Sequence, residues 1–300
     1  MDTFIQQVVS GLATGGIYGS LALALVMIYQ ATDVVNYAQG EMAMFSTYLA
    51  WTMLNAGLPY WVAFVATLVI AFVGGIVIER VVIRPVESAP LLTIVIVCIG
   101  LLVILNSVAG WIYSYIQKPF PSPFPDRPIK IGLAALGGHD IVFGAHDLGA
   151  IGVTLVVLAF LYVFFRFTSL GLAMRAAAQN PTSSRLVGIR VGWMLAVGWG
   201  LAALVGAVAG MMVAPIVFLD PNMMSGILIY AFASATLGGF TSPGGAVVGG
   251  LLVGVIENLV GTYVRFIGTE LKLTVALALI LVVLTVKPSG LFGRAAVHRV

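Results

Sequence analysis

A basic, polar segment separates two long apolar runs of this chain and reads Ser169-Leu-Gly-Leu-Ala-Met-Arg-Ala-Ala-Ala-Gln-Asn-Pro-Thr-Ser-Ser-Arg-Leu-Val-Gly-Ile-Arg190. It contains three arginines and no acidic residue, and Arg166 lies just before it. Arginine at the centre of a bilayer costs roughly 3 kcal/mol even on lenient insertion scales. The segment is therefore predicted to be a solvent-facing loop between membrane helices, and the positive-inside bias places it in the cytoplasm.

The interior of this loop predicts two short helices. Gly171 to Gln179 is rich in Ala, Leu and Met, which favour helix. Asn180 is a suitable N-cap, Pro181 suits the first helical position, and Gly188 suits the C-terminal stop. A structured cytoplasmic loop of this kind indicates contact with another protein, and the alternative is an ordinary solvated connection.

The composition on either side of this loop is that of a membrane protein. Of 300 residues, 61% are hydrophobic and only 8% are charged, whereas a soluble domain typically carries about 25% charged residues. A membrane span needs about 20 apolar residues. Six segments of about that length or longer contain no Asp, Glu, Lys or Arg. They are Thr3–Thr32, Met42–Ile78, Ser88–Gln117, Leu148–Phe165, Val191–Leu219 and Pro221–Ile256.

These windows predict an all-α, polytopic integral membrane protein with eight or nine transmembrane helices in a single transmembrane domain over residues 1–300. The short segment 227–240 and the stretch around 31–41 are candidates for half-helices. The spans are expected at 8–30, 40–56, 60–79, 91–115, 150–167, 193–215, 227–240, 244–263 and 271–287.

The basic residues indicate which loops face the cytoplasm. Nine of the fourteen lie in the 80–84 turn, the 166–190 loop and the C-terminal tail, which are therefore assigned to the cytoplasm. The segment 118–149 is assigned to the other side. Five prolines between Lys118 and Pro128 predict an extended strap there, which either contacts an external partner or closes over the helix ends.

Two polar, glycine-containing segments interrupt the apolar text in corresponding halves of the chain: Val35-Asn-Tyr-Ala-Gln-Gly-Glu41 and Gly238-Gly-Phe-Thr-Ser-Pro-Gly-Gly245. Broken backbone at membrane depth is tolerated only where it is buried in protein or lines a wet cavity. Paired interruptions indicate an internal repeat and a permeation pathway. The alternative is that both are interfacial turns between adjacent helices.

Small residues and one acid stand out inside the predicted spans. Gly206-x-x-x-Gly210 and Gly250-x-x-x-Gly254 predict faces on which helices pack closely. Glu257 lies in an otherwise apolar helix, where an acid is either functional or a structural hydrogen-bonding group with Asn258 beside it. Neither Glu257 nor Glu41 has an evident basic partner in the sequence.

The sequence lacks the motifs of several classes of enzyme. There is no Gly-x-x-x-x-Gly-Lys-Ser/Thr, no His-Glu-x-x-His and no Gly-x-Ser-x-Gly. Cys98 is the only cysteine, which leaves no disulfide framework and no thiolate metal site. We therefore expect a protein that is not an enzyme, with no catalytic residues, metal or cofactor, and with no nucleic-acid partner.

Five motifs in order resemble one family. They are Asn36-Tyr-Ala-Gln-Gly-Glu41, Ile78-Glu-Arg-Val-Val-Ile-Arg-Pro-Val86, Gly171-Leu-Ala-Met-Arg-Ala-Ala-Ala-Gln-Asn180 with Leu186-Val-Gly-Ile189, Thr236-Leu-Gly-Gly-Phe-Thr-Ser-Pro-Gly-Gly-Ala-Val-Val-Gly-Gly250, and Lys287-Pro-Ser-Gly-Leu-Phe-Gly293. The chain resembles the H-type permease of branched-chain amino acid ABC importers from residue 8 to 294. Two positions depart from the family pattern, because Gln39 replaces a usual His and Glu87 replaces a basic or neutral residue.

The resemblance implies a permease subunit in a bacterial inner membrane that moves branched-chain amino acids or a related small polar solute. It implies four partners besides membrane lipid: a homologous second permease and two cytoplasmic ATPase subunits, with a periplasmic binding protein. It also implies that 169–190 is the ATPase-coupling loop, with residues Gly171, Arg175, Ala176, Ala177, Ala178, Asn180, Pro181, Arg185 and Gly188. The expected translocation path comprises Asn36, Tyr37, Gln39, Gly40, Glu41, Gly238, Gly239, Ser242, Pro243, Gly244, Gly245 and Glu257, with 36–41 and 238–245 facing each other or the partner.

The main rival from a different class is a stand-alone secondary transporter or channel for a small polar solute. Such a protein needs its own coupling site, which typically pairs acids with basic partners in the bundle core. An intramembrane enzyme would need a nucleophile with a base, or a set of metal ligands, and this sequence contains neither arrangement.

Overall fold

The described residues contain eleven α-helices, connecting turns and one pair of short antiparallel strands. The computed structural model describes residues 2–32, 34–125, 127, 129–131, 141–264, 266, 268 and 271–293. The helices are α1 (Asp2–Thr32), α2 (Gln39–Asn55), α3 (Tyr60–Ile78), α4 (Leu91–Tyr113), α5 (Ala145–Phe167), α6 (Ser169–Gln179), α7 (Pro181–Leu186), α8 (Val191–Val217), α9 (Met223–Gly238), α10 (Pro243–Tyr263) and α11 (Lys272–Val286). The prediction of an all-α, polytopic membrane protein is confirmed.

Each of the nine predicted spans coincides with a helix. Among the described residues, six helical segments are long and apolar enough to cross a membrane, and α9 and α11 are shorter apolar helices. With 16 residues, α9 is about 24 Å long, less than the roughly 30 Å of a bilayer core. The half-helix predicted around 31–41 is wrong, because residues 34–38 are not helical and α2 begins at Gln39.

The predicted external segment 118–149 is partly described. The chain is non-helical from Ser114 to Pro125, and Lys118 pairs with Leu219 through two backbone hydrogen bonds of 2.9 Å. Two strands that were not predicted, β1 (Ile129–Ile131) and β2 (Ile141–Phe143), pair antiparallel. Helix α5 begins at Ala145, five residues before the predicted span 150–167. The predicted features at 126, 128, 132–140, 265, 269–270 and 294–300 lie outside the described residues.

The chain divides into two compact units. Unit 1 comprises residues 1–23, 121–154 and 226–300, and unit 2 comprises residues 24–120 and 155–225. Large apolar side chains on α3, α4 and α5 are exposed, among them Trp111 at 86%. Exposed apolar surface on this scale is expected where helices face lipid.

Glycine contacts hold the first unit together, as the Gly250-x-x-x-Gly254 motif predicted. Gly11 and Gly15 of α1 lie directly against the backbone of α10. A Cβ atom at Gly11 would come within 2.7 Å of the Val255 Cα atom, and one at Gly15 within 2.7 Å of the Gly250 carbonyl oxygen. The hydrophobic effect does not drive helices together within lipid, so van der Waals contacts at this close approach stabilise the packing of α1 against α10.

A Gly254→Ala substitution is therefore expected to destabilise the protein by about 1–3 kcal/mol, because the added methyl group overpacks the contact with Gly11 and Gly15. Gly152→Ala is the matched control, since nothing lies within 4 Å of a Cβ atom there. Thermal unfolding in detergent measures both variants. Equal midpoints for the two would contradict the assigned helix contact.

In unit 2, α8 is the central helix and packs against α2 and α3. Gly206 and Gly210 face α2, where Gln39, Ala43 and Thr47 occupy the space a side chain would need. Gly200 of α8 faces Phe72 of α3 in the same way. The Gly206-x-x-x-Gly210 motif is thus a packing face, as predicted.

Candidate coupling loop and translocation segments

The polar loop contains the two predicted helices, α6 and α7. Thr168 caps α6, because its Oγ1 atom accepts a hydrogen bond of 3.0 Å from the Gly171 backbone N–H. Asn180 caps α7 as predicted, through a 2.9 Å bond from the Ser183 N–H to its Oδ1 atom. Gly188 has φ +85°, which is the left-handed conformation of a helix C-terminal stop.

The inner face of this loop packs on the chain itself. Ala177 is buried against Val191 and Leu195 at the start of α8, with Ile189 and Met194 packed around them. Gly171 lies against the backbone of Phe164 and Phe165. The predicted docking run Ala176–Ala178 is narrowed by this finding: Ala177 points into the chain, whereas Ala178 is exposed and Ala176 is partly exposed.

The outer face of the loop combines exposed apolar and basic groups. Leu186 is 85% exposed and Val187 is 77% exposed. Arg175, Arg185 and Arg190 are exposed around them, as are Asn180 and Pro181. The sequence interpretation quoted Leu186 and Val187 within the coupling-loop motif but did not include them among the coupling residues, although two adjacent apolar residues between arginines in a polar loop were a visible signal.

The base of α8 is connected to the basic turn at residues 79–86. This turn is a π-helical segment (Glu79–Ile83) followed by a 3₁₀ segment (Arg84–Val86). The Arg80 guanidinium lies 4.4 Å from the ring centroid of Trp193, a cation–π contact. This contact joins the basic turn to the start of α8.

The 36–41 segment is a buried connection between α1 and α2. The Asn36 Oδ1 atom accepts a 3.0 Å hydrogen bond from the Ala38 N–H, and its Nδ2 atom donates to the Gln39 Oε1 atom over 3.2 Å. The Gln39 Nε2 atom donates to the Ala202 carbonyl of α8 over 2.9 Å. Gln39, Gly40 and Glu41 are all buried, and Tyr37 is partly exposed. In this conformation Gln39 links two helices.

Replacing Gln39 with Leu is expected to lower stability by about 1–3 kcal/mol, because the Asn36 amide loses a buried acceptor and the link to α8 is removed. Gln39→His retains a hydrogen-bonding side chain and is expected to retain most of the stability. Thermal unfolding of both variants in detergent measures the difference. A Leu variant as stable as the wild type would contradict the structural role of this side chain.

The 238–245 segment is a tight turn between α9 and α10 that packs on the 287–293 segment. The Leu291 N–H donates to the Leu237 carbonyl over 2.7 Å and the Phe292 N–H to the Gly238 carbonyl over 3.1 Å. Gly239 has φ +102°, and a side chain there would meet the Ser289 carbonyl oxygen. These contacts favour the packing-turn interpretation for Gly238, Gly239 and Gly245, whereas Ser242, Pro243 and Gly244 retain exposed surface.

Glu257 belongs to a polar cluster in unit 1. The Lys272 Nζ atom lies 4.0 Å from the Glu257 Oε1 atom and donates to the Asn258 Oδ1 atom over 3.4 Å. The carboxyl also faces the hydroxyl groups of Tyr18 and Tyr230, whose rings stack 4.7 Å apart. The expectation that Glu257 lacks a basic partner is wrong, because the turn between α10 and α11 returns Lys272 to it.

The comparisons with known proteins agree with this architecture. The family model described as "Branched-chain amino acid transport system / permease component" matches residues 7–284. The chain is 31% identical over 313 residues to the high-affinity branched-chain amino acid transport system permease protein LivH of Escherichia coli K12, covering 99% of this chain and 98% of that protein. It is also 31% identical over 310 residues to BraD of Pseudomonas aeruginosa, a protein of the same description, with the same coverage.

A solved structure shows a similar fold. It is PsaBC from Streptococcus pneumoniae in complex with Fab, with a TM-score of 0.50, 13% identity, and coverage of 93% of this chain and 91% of that chain. At this identity the likeness concerns the fold alone. The sequence relatives and the family model, which extend over nearly the whole chain, decide the family: this protein is a member of the branched-chain amino acid transport permease family.

Proposed function

We propose that this chain is the transmembrane permease subunit of an ABC importer in a bacterial inner membrane, and that it translocates branched-chain amino acids or a related small polar solute. The observation that carries this proposal is the two-sided α6–α7 loop. Ala177 attaches its inner face to α8, while Leu186 and Val187 expose an apolar tip among arginines. The sequence contains no nucleotide-binding motif, so the proposal assigns ATP hydrolysis to separate subunits.

The proposed partners follow from this arrangement and from the relatives, which are named as permeases of transport systems. Two cytoplasmic ATPase subunits receive the loop, and a homologous second permease completes the membrane complex. A periplasmic binding protein delivers the solute. No covalent chemistry is assigned to this chain.

The proposed mechanism transmits ATPase closure through α8. Pressure on the outer face of α6–α7 passes through Ala177, Val191 and Leu195 to the base of α8. From there it reaches α2 through the bond between Gln39 and the Ala202 carbonyl. Because packed helices move as rigid bodies, the result is an alternating-access cycle. The path is assigned to the 36–41 segment and to the accessible part of 238–245, and whether the two segments face each other stays a prediction.

The stand-alone secondary transporter is the second candidate, because the Glu257–Lys272 pair supplies an intramembrane acid with a basic partner. In this pair the lysine also bonds Asn258, which in turn donates to the Thr14 hydroxyl over 3.4 Å. These contacts connect α1, α10 and α11, as a structural ion pair would. The Glu257–Lys272 pair is therefore equally compatible with the first candidate.

Co-purification tests the proposal. An affinity-tagged chain is expressed together with ATPase, second-permease and binding-protein genes from the same genome. A stoichiometric membrane complex containing two ATPase subunits is expected. A chain that purifies alone and transports solute with an ion gradient as its only energy source would overturn the proposal.

A further inference from the structure

The end of α8 that lies farthest from the α6–α7 loop is joined to the end of α4 within unit 2. Residues 114–118, which follow α4, pair there with residues 218–222, which follow α8. The backbones of Lys118 and Leu219 exchange two hydrogen bonds of 2.9 Å between the two segments. We call this pairing the α4–α8 junction.

Side chains also hold the two sides of the junction together. The Asn106 Nδ2 atom of α4 donates to the Pro221 carbonyl over 2.8 Å and to the Asn222 Oδ1 atom over 3.2 Å. The Tyr115 hydroxyl in turn donates to the Asn106 Oδ1 atom over 3.3 Å. The junction is therefore fixed by both backbone and side-chain hydrogen bonds.

The first residue on each side of the junction has a backbone conformation that only glycine adopts readily. Ser114 has φ +63° and ψ +168°, and Phe218 has φ +64° and ψ +155°. Within the part of the chain that the structure describes, no other residue except glycine has a positive φ. Such residues are strained, persist only where surrounding contacts hold them, and cluster in switches and ligand clamps. Two of them at one junction indicate that its closed arrangement stores strain.

Helix α8 connects this junction to the α6–α7 loop. At its first turns, Val191 and Leu195 pack on Ala177 of the loop. At its other end, Pro215 lies inside the last turn. Because proline has no N–H to donate to the preceding turn, this last turn is held to the body of α8 by one hydrogen bond fewer. A weakened helix end thus lies directly before the strained Phe218.

We propose that the α4–α8 junction is a latch that is closed in this structure and opens once in each transport cycle. The strain at Ser114 and Phe218 lowers the free energy of opening, because both residues relax to ordinary conformations when the Lys118–Leu219 pairing is released. The inference rests on the proposed function, since a cycle that moves α8 is what opens the latch. It gives the start of the proline-containing strap one of its two predicted roles, closure over the helix ends.

Glycine substitutions test the strain independently of transport. Ser114→Gly and Phe218→Gly keep the backbone conformation without a Cβ atom, and each is expected to raise the thermal midpoint of the purified complex by about 2–4 °C. Ser107→Gly and Phe160→Gly are the matched controls, because both residues are exposed within helices, where glycine lowers the midpoint. Midpoints that do not rise in Ser114→Gly and Phe218→Gly would overturn the proposal.

A disulfide across the junction tests whether it opens. Lys118→Cys and Leu219→Cys are combined in a Cys98→Ala background, since paired residues of this kind have Cα atoms about 5.5 Å apart, within disulfide range. Oxidation is expected to reduce ATP-driven leucine uptake in proteoliposomes at least tenfold, and a reducing agent is expected to restore it. The two single-cysteine variants are the controls and should keep their uptake under oxidation.

A second cross-link guards against a folding defect, because Leu219 is fully buried. Gln117→Cys and Asp220→Cys replace side chains that meet at 3.5 Å, and a short bifunctional thiol reagent joins them with the same expected loss of uptake. Unchanged uptake in a complex whose cross-link is confirmed by mass spectrometry would overturn the latch. A wild-type complex without ATP-dependent uptake would instead contradict the proposed function, and the glycine variants would still decide whether the junction is strained.

Discussion

Replacing Leu186 with Asp is expected to reduce the association of the ATPase subunits with this chain at least tenfold. Leu186 is 85% exposed at the tip of the α6–α7 loop, so its side chain contributes little to the stability of the isolated chain. In the proposed complex it is buried in an apolar groove, where a carboxylate without a partner is strongly disfavoured. The measurement is ATPase recovery with the tagged chain, together with thermal unfolding.

Thr182→Asp is the matched control for this substitution. Thr182 is exposed on the same short helix, and an acid near a helix N-terminus is tolerated or slightly favourable. We expect normal association for this variant. An unchanged complex in Leu186→Asp, or an equal loss in both variants, would show that the tip of the loop is not the docking surface.

Lys272→Met is expected to destabilise the protein by about 2 kcal/mol or more. The substitution puts an apolar side chain in place of the ammonium group that lies 4.0 Å from the Glu257 carboxyl. Removing one partner of a buried ion pair costs about 3–5 kcal/mol, and the 25% exposure of the lysine side chain lowers that figure here. Thermal unfolding in detergent measures the loss.

The reverse substitution and the double variant complete the test. Glu257→Gln is expected to cost less than Lys272→Met, because the partly exposed lysine can extend its ammonium group towards water. The double variant should lose less stability than the sum of the two single-variant losses. The reason is that it lacks the unpaired charge that each single variant retains. Strictly additive losses would mean that the two side chains do not interact.

Local patterns made the helices and the coupling loop predictable from the sequence. Apolar runs of span length predicted eight or nine transmembrane helices, and Asn180, Pro181 and Gly188 predicted where α7 begins and ends. Each of these signals acts over a few residues. The half-helix around 31–41 was predicted wrongly because a polar, glycine-containing stretch is compatible with either a short helix or an extended turn, and here the Asn36 side chain stabilises the turn.

The features that the sequence did not predict depend on contacts between distant residues. The Gln39 amide reaches the Ala202 carbonyl 163 positions away. Lys272 meets Glu257 only because the chain reverses after α10. Ala177 looked available for docking, and its burial depends on where α8 begins. The spacing of residues along a single helix does not indicate which residues of another helix they contact.

ATP-dependent uptake in proteoliposomes tests the central claim most directly. The purified complex is reconstituted with ATP inside the vesicles, and the binding protein and radiolabelled leucine are added outside. The account predicts leucine uptake that requires internal ATP and is lost in Leu186→Asp, while Thr182→Asp retains it. Uptake that proceeds without ATP, follows an imposed ion gradient and is unaffected by Leu186→Asp would contradict the account.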